Sequence, residues 1–316
     1  MSISFYIKNK KKFFGYEKVM KVREVIDLFK EYKLSFYNID FHTNDPNGEK
    51  FYNTSIENWQ ENYSCILFGV EGKSGRGFEF SYNTTKNSYV IREFTPATEN
   101  DWIIVLEFMK ILAEKLGTKI KSEQGEIYTS EVISTFDYKN DIKSGIKVIS
   151  NILNKENEKG FNVDNIYGIK RVISFNKEII EKIVNSSDEI KEFSKFCEDI
   201  QYIDAYSAKQ SFVEDTITKE KWGYYVLTEN LRTIFPYKPN VEFFSMEYIK
   251  NEEVAFWKIF FCAYKVDENG EEGIDKIGES IYDDFIKKLP VDKYKFIDAS
   301  YIVVEPLNRD DILEIL

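Results

Sequence analysis

The chain has 316 residues, of which 43% are hydrophobic and 16% aromatic, with 15 Gly, 6 Pro, 3 Cys and one His. That apolar surface excludes intrinsic disorder, the low Gly and Pro content excludes collagen-like and low-complexity sequence, and a single histidine excludes any site built on two. The net charge of −11 argues against nucleic acid as a partner, because phosphate neutralisation needs a basic surface.

In chain order, Ser2 to Ile7 alternates like a strand, Lys10, Lys11 and Lys12 read as a solvated turn, and Tyr16 to Met20 reads as a second strand. Val22, Val25, Ile26 and Phe29 fall at helical spacing, which predicts a short helix to about Tyr32. Leu34 to Phe41 reads as a strand and His42 to Asn53, with Asn, Asp, Pro and Gly, as a loop. Three strands follow at Tyr63 to Val70, Gly77 to Tyr82 and Ser88 to Phe94, the last two joined by a turn at Asn83 to Asn87. Thr98 and Asp101 form a capping box before the clearest helix. Its stripe is Trp102, Val105, Leu106, Met109, Leu112, Ala113 and Leu116, and Gly117 closes it. Thr118 to Ser122 resumes as a strand, and Glu131 to Phe136 and Asp141 to Leu153 are helical.

The Asn-rich stretch Asn151 to Asn165 reads as a domain boundary. Beyond it, Ser186 and Glu189 suggest a second capping box, with Ile190, Phe193, Phe196, Cys197 and Ile200 as the stripe behind it. Strands are expected at Trp222 to Leu227 and Thr233 to Tyr237, and Val254 to Val266 has the two-sided apolar pattern of a central strand. A helix from about Gly278 to Leu289 stops at Pro290, and Phe296 to Val304 is a last strand. The pattern is α+β: two domains, 1–158 and 159–316, each a mainly antiparallel sheet with a major helix packed on it. Charge supports the division, since residues 1–160 carry 23 acidic and 23 basic side chains and residues 161–316 carry 31 and 20.

The opening segment places its apolar residues before its lysines, the reverse of a secretory signal. The most apolar stretch elsewhere, Val254 to Val266, is too short to span a bilayer and contains Lys258 and Lys265. Cys65, Cys197 and Cys262 lie far apart in apolar surroundings and read as reduced core thiols. A soluble, cytoplasmic protein with no membrane partner is therefore expected.

Five stretches carry a family resemblance: SISFYIKNKKKFFGYEKV, GKSGRGFEFSY with YVIREFTPATENDW, LAEKLGTKIKSEQGEIYTSEVISTFDY and YYVLTENLRTIFP. Together they resemble a bacterial family of domain-of-unknown-function proteins of about this length. The resemblance implies a bacterial cytosolic setting and brings no catalytic residue.

Gly72-Lys73-Ser74 has the ending of a Walker A loop, but Leu67 stands where its first glycine belongs and a strand follows instead of a helix. The ordinary reading is a Gly-rich hairpin. Gly72, Gly75 and Gly77, beside Lys73, Ser74 and Arg76, also suit the capture of a small anion or carboxylate, with Arg92 as a further candidate ligand. Glu123 and Glu126 flank Gly125 and could act as general acid and base or bind a hard cation, although a solvated turn is the ordinary reading. Glu271, Glu272, Asp275, Glu279, Asp283 and Asp284 lack EF-hand spacing and read as a solvated acidic helix face or as a surface for a basic protein partner. His42 lies in a loop with no nucleophile elbow in the sequence, and Trp222, Tyr224, Tyr225, Phe235 and Tyr237 read as core and cross-strand aromatics. Nothing in the sequence calls for a cofactor or a metal. The leading expectation is a non-enzymatic cytosolic binding or accessory protein, of the toxin-immunity type among others. A carboxylate-dependent hydrolase and a small-anion sensor are the alternatives.

Overall fold

Ile3, Phe5 and Ile7 alternate along β1 (Ser2–Lys8) and all three are buried, the outcome that a period-two pattern predicts for a strand with one covered face. The structure, a computed structural model, describes residues 1–37, 47–58, 65–156, 163–242, 245–246, 248–266 and 272–316. The chain forms two compact units, Met1–Tyr202 and Ile203–Leu316.

In the first unit β1 is followed by α1 (Val22–Leu28), β2 (Leu34–Phe36), α2 (Glu49–Asn53), β3 (Ile66–Val70), β4 (Phe78–Asn83) and β5 (Ser88–Phe94). Then come α3 (Glu99–Leu116), β6 (Ile120–Ser122), β7 (Ile127–Tyr128), α4 (Tyr138–Glu156), β8 (Asp164–Tyr167), β9 (Val172–Phe175), α5 (Lys177–Val184) and α6 (Glu189–Gln201). Seven strands make one antiparallel sheet in the order β2-β3-β4-β5-β1-β6-β7, and β8 pairs with β9 alone. Phe5 stands opposite Ile91 on one side and Ser122 on the other, so the apolar rows of neighbouring strands share the covered face.

The helix α3 packs on that face. Its capping box forms as the sequence reads, Gly117 closes it in the left-handed region at φ +63°, and every residue of the expected stripe is buried. Phe108 extends the stripe, stacking on Phe29 at 4.2 Å and meeting Phe78 at 4.8 Å. Fully burying a side chain of this size contributes about 1.5–3 kcal/mol before chain entropy is set against it. The helices α4, α5 and α6 pack on one another, and α4 and α6 also pack on α3.

The second unit contains β10 (Tyr206–Ser207), β11 (Ser211–Glu214), β12 (Lys221–Thr228), β13 (Thr233–Pro236), β14 (Val254–Val266), β15 (Glu272–Ile281), α7 (Tyr282–Lys288), β16 (Tyr294–Phe296), β17 (Tyr301–Val304) and α8 (Arg309–Ile315). Two four-stranded sheets, β10-β13-β17-β16 and β11-β12-β14-β15, share a core that includes Tyr225, Phe235, Phe261, Tyr282 and Phe285. The protein is thus α+β, with one entirely antiparallel large sheet. The sheets of the second unit are mixed, because β10 runs parallel to β13 and β12 parallel to β14. After β12 the chain leaves to supply β13 to the other sheet and returns beside β12 in the same direction. A parallel pair requires such a long connection.

Several expectations need correction. The division between compact units falls after Tyr202 rather than at 158, because Ile173, Phe175, Ile180, Phe193 and Ile200 belong to the same hydrophobic core as Phe5 and Trp102. Residues 17–20 are not a strand, and Tyr16 makes only a single bridge to Lys11. Glu49–Asn53 is a short helix where a loop was expected. Asp188, not Ser186, caps α6 and accepts the Lys191 N–H at 3.1 Å. Gly278 belongs to β15, which stays paired with β14 as far as Ile281, so the following helix starts only at Tyr282. Phe296 to Val304 is the end of one strand and the whole of another, turned by Asp298, which accepts the N–H groups of Ser300 and Tyr301. His42 and Glu271 lie outside the described residues. Among those described, no helix is long and apolar enough to cross a membrane.

Candidate functional site

The loop 71–77 joins β3 to β4 and folds against the start of α3. Lys73 and Ser74 donate their N–H groups to Val70 O at 3.1 and 2.9 Å, and the Ser74 hydroxyl accepts the Val70 N–H at 3.0 Å. Gly75 lies so close to the helix cap that a Cβ there would stand 2.4 Å from Thr98 Cγ2. Glycine is needed here for approach, and is favoured at Gly72 and Gly77 by their positive φ.

The N–H groups of Arg76 and Gly77 point to one place, and a carboxylate fills it. Asp101 Oδ2 accepts the Arg76 N–H at 2.8 Å and Oδ1 accepts the Gly77 N–H at 2.9 Å. Oδ2 also takes the Thr98 N–H at 3.2 Å and the Thr98 hydroxyl at 2.8 Å. Two successive N–H groups and a helix N-terminus form an anion-binding concavity, occupied here by the chain's own buried side chain. Arg76 is buried beside it. Its Nε donates to Tyr167 O and its Nη1 to Pro96 O, both at 2.7 Å, and its guanidinium lies 4.7 Å from the centre of the Phe94 ring. The next N–H of α3, from Glu99, goes to Ser194 Oγ of α6 at 2.8 Å.

Three further carboxyls surround this centre. Glu93, on the inner face of β5, is fully buried. One of its oxygens takes the Phe94 N–H at 3.2 Å and the other has no partner. Burial, with the charge of Asp101 adding, pushes its carboxyl well above the usual range. Asp141 of α4 takes the Thr95 hydroxyl at 3.0 Å, and the Trp102 N–H faces it without closing a hydrogen bond. Glu198 of α6 takes the Asn100 amide at 3.0 Å. Burial raises Asp141 to about 6 and Glu198 to about 7.

Of the candidates named from the sequence, Ser74 and Arg76 enter this centre and Lys73 stays exposed on the loop. Arg92 points to the other face of the sheet, where it pairs with Glu79 at 2.6 Å and donates to Ser2 Oγ at 2.8 Å. Arg76 and Arg92 both approach the Phe94 ring, whose centre is 5.7 Å from the second guanidinium. Glu123 and Glu126 are exposed on the β6–β7 turn, and Glu126 accepts the Tyr128 hydroxyl at 2.8 Å.

Asp275 and Glu279 lie on β15 rather than on a helix, and Glu272 opens that strand. Glu279 accepts Lys258 Nζ at 2.7 Å and Lys276 Nζ at 2.5 Å, which holds its carboxyl below the usual range. Asp283 and Asp284 are exposed in the first turn of α7. Tyr225 and Phe235 are core residues. Trp222 and Tyr224 lie on the opposite face of β12, where Trp222 stacks on Phe256 at 5.8 Å and Tyr224 meets Phe260 at 5.0 Å.

Asp101 was legible only as a helix cap. Glu93 had a readable signal, since it shares the inward parity of Tyr89 and Ile91 and so places a carboxyl on an apolar face. Asp141 and Glu198 come from α4 and α6, and no local pattern links them to the loop. Among the described residues, no group of three or more His, Cys, Asp or Glu side chains could hold a metal ion. A family model described as a domain of unknown function, DUF4299, matches residues 2–315. No curated protein and no solved structure matches the chain.

Proposed function

The chain belongs to the DUF4299 family, which carries no assigned activity, and from that premise we propose a protein that works by binding a partner rather than by turnover. The observation that supports this most directly is Asp101. It fills the anion-binding loop with four hydrogen bonds from within the chain, so the most chemistry-like arrangement in the fold ties elements together. Arg76 is spent on two backbone carbonyls, which speaks against a small-anion sensor at this loop. The solvated positions of Glu123 and Glu126 speak against the hydrolase reading, since acid–base pairs are normally tuned by burial.

The partner class we favour is a basic protein, as for an accessory or toxin-immunity protein. Residues 203–316 hold 23 acidic and 14 basic side chains, with Asp275, Asp283 and Asp284 exposed. Such a field raises association rates and weakens with salt. The test has two arms. In pull-downs, a basic partner should be recovered at low salt, and less of it at high salt or with Asp275→Asn, Asp283→Asn and Asp284→Asn combined. In parallel, hydrolysis of generic ester, phosphoester and glycoside substrates should not exceed that of Glu123→Gln/Glu126→Gln. Turnover lost in that double variant would establish the hydrolase instead.

A further inference from the structure

The sequence reads Lys10, Lys11 and Lys12 as a solvated turn, and the structure makes them one arm of a closed hairpin. Buried Asn9 fixes its base, with its backbone N–H donating to Asn87 O at 2.9 Å and its side-chain amide to Glu17 O at 2.7 Å. The Glu17 N–H donates to Lys10 O at 2.8 Å, Lys11 bridges Tyr16, and the Lys12 N–H donates to Gly15 O at 3.0 Å. Gly15 closes the tip at φ +77°, a conformation that favours glycine.

This frame holds Phe13 and Phe14 away from the protein, 95% and 86% exposed, with their rings edge to face at 4.8 Å. Lys8, Lys10, Lys11, Lys12 and Lys18 are exposed along the same short segment. Its one acid, Glu17, stands 3.8 Å from Lys10. Residues 1–23 hold seven basic side chains and one acidic, in a chain of net charge −11.

We propose that this hairpin docks the protein peripherally on an anionic lipid surface, with Phe13 and Phe14 entering the boundary between headgroups and acyl chains and the lysines meeting the phosphates. Two apolar rings on a narrow, hydrogen-bonded projection form a convex wedge. A protein partner would need a matching pocket, whereas a bilayer interface deforms around a wedge and accepts aromatic rings at headgroup depth. The local positive charge draws this hairpin toward an anionic membrane, an attraction that salt screens. No spanning helix is involved.

The experiment is co-sedimentation of the full chain with vesicles of phosphatidylcholine alone and of phosphatidylcholine containing phosphatidylglycerol, at low and physiological salt. Binding is expected to the anionic vesicles only, and more weakly as salt rises. Phe13→Ala/Phe14→Ala should lower the partition coefficient about a hundredfold, taking roughly tenfold for each ring. Lys10→Glu/Lys11→Glu/Lys12→Glu should abolish binding. None of these five side chains is buried, so circular dichroism should stay unchanged in both variants. Absence of anionic-vesicle binding at low salt, equal binding to neutral vesicles, or binding that ignores the Phe pair would each overturn the proposal. Saturable binding to polyglutamate without vesicle binding would also overturn it, and would assign the hairpin to an acidic protein.

Discussion

Glu93 shows how far one side chain can stand from its ordinary behaviour. It occupies an inward position of β5, fully buried, with one carboxyl oxygen unpartnered. Burial and the neighbouring Asp101 charge raise its carboxyl well above the usual range, so at neutral pH the fold favours its protonated form more than the unfolded chain does. The unfolded chain would ionise it there. The stability this group contributes is therefore full below the ordinary carboxylate range and is lost as pH rises above it. Asp141, raised to about 6, and Glu198, raised to about 7, act with the same sign. Glu93→Gln should raise Tm by about 2–4 °C at pH 7.5 and leave it unchanged near pH 4. Thermal unfolding across that pH range checks this, and a gain that persists at pH 4 would point to packing instead of ionisation.

At the scale of elements, the β3–β4 loop and the start of α3 form one unit. Asp101 joins them by hydrogen bonds, and Gly75 joins them by close approach to Thr98. The two kinds of glycine in the loop should respond differently. Gly72 has φ +76° and open space around it, so Gly72→Asn, which tolerates the left-handed region, should cost under about 1 kcal/mol. Gly75 has no room, since Thr98 is held by its cap hydrogen bonds, so Gly75→Ala should cost about 1–3 kcal/mol. Urea unfolding of the two variants decides this, and equal losses would mean that the loop shifts to admit a side chain. The capping box of α3 was legible because its signal spans four residues. The start of α7 was not, because the pairing of β15 with β14 overrides the local helical pattern.

At the scale of the molecule, the two hydrophobic cores share no residue among those described. The first draws on α5, α6 and β9 as well as on the large sheet, which places Ile173, Phe175 and Phe193 in one core with Phe5. A fragment of residues 1–202 should therefore unfold cooperatively. A fragment of residues 1–158 should show the dispersion loss and dye binding of a molten state, because its α3 and α4 would expose their outer apolar faces. Chemical-shift dispersion and denaturant melts of the two fragments test this, and a cooperative 1–158 fragment would restore a division at that point.

Taken alone, the sequence determined the α+β class, the strands β1, β4 and β5, the stripe and both ends of α3, and the failure of Gly72-Lys73-Ser74 to complete a Walker loop. Each rests on periodicity or on residues a few positions apart, which local backbone geometry enforces. The tertiary structure alone decided that Asp101 fills the loop, that Glu93, Asp141 and Glu198 gather around it, and that β12 and β14 run parallel. These depend on which distant segments meet, and burial then sets the protonation of groups whose sequence neighbours give no hint of it. The hairpin at Phe13 and Phe14 lies between the two, since its composition was visible while its exposure required the frame built from Asn9, Gly15 and Glu17.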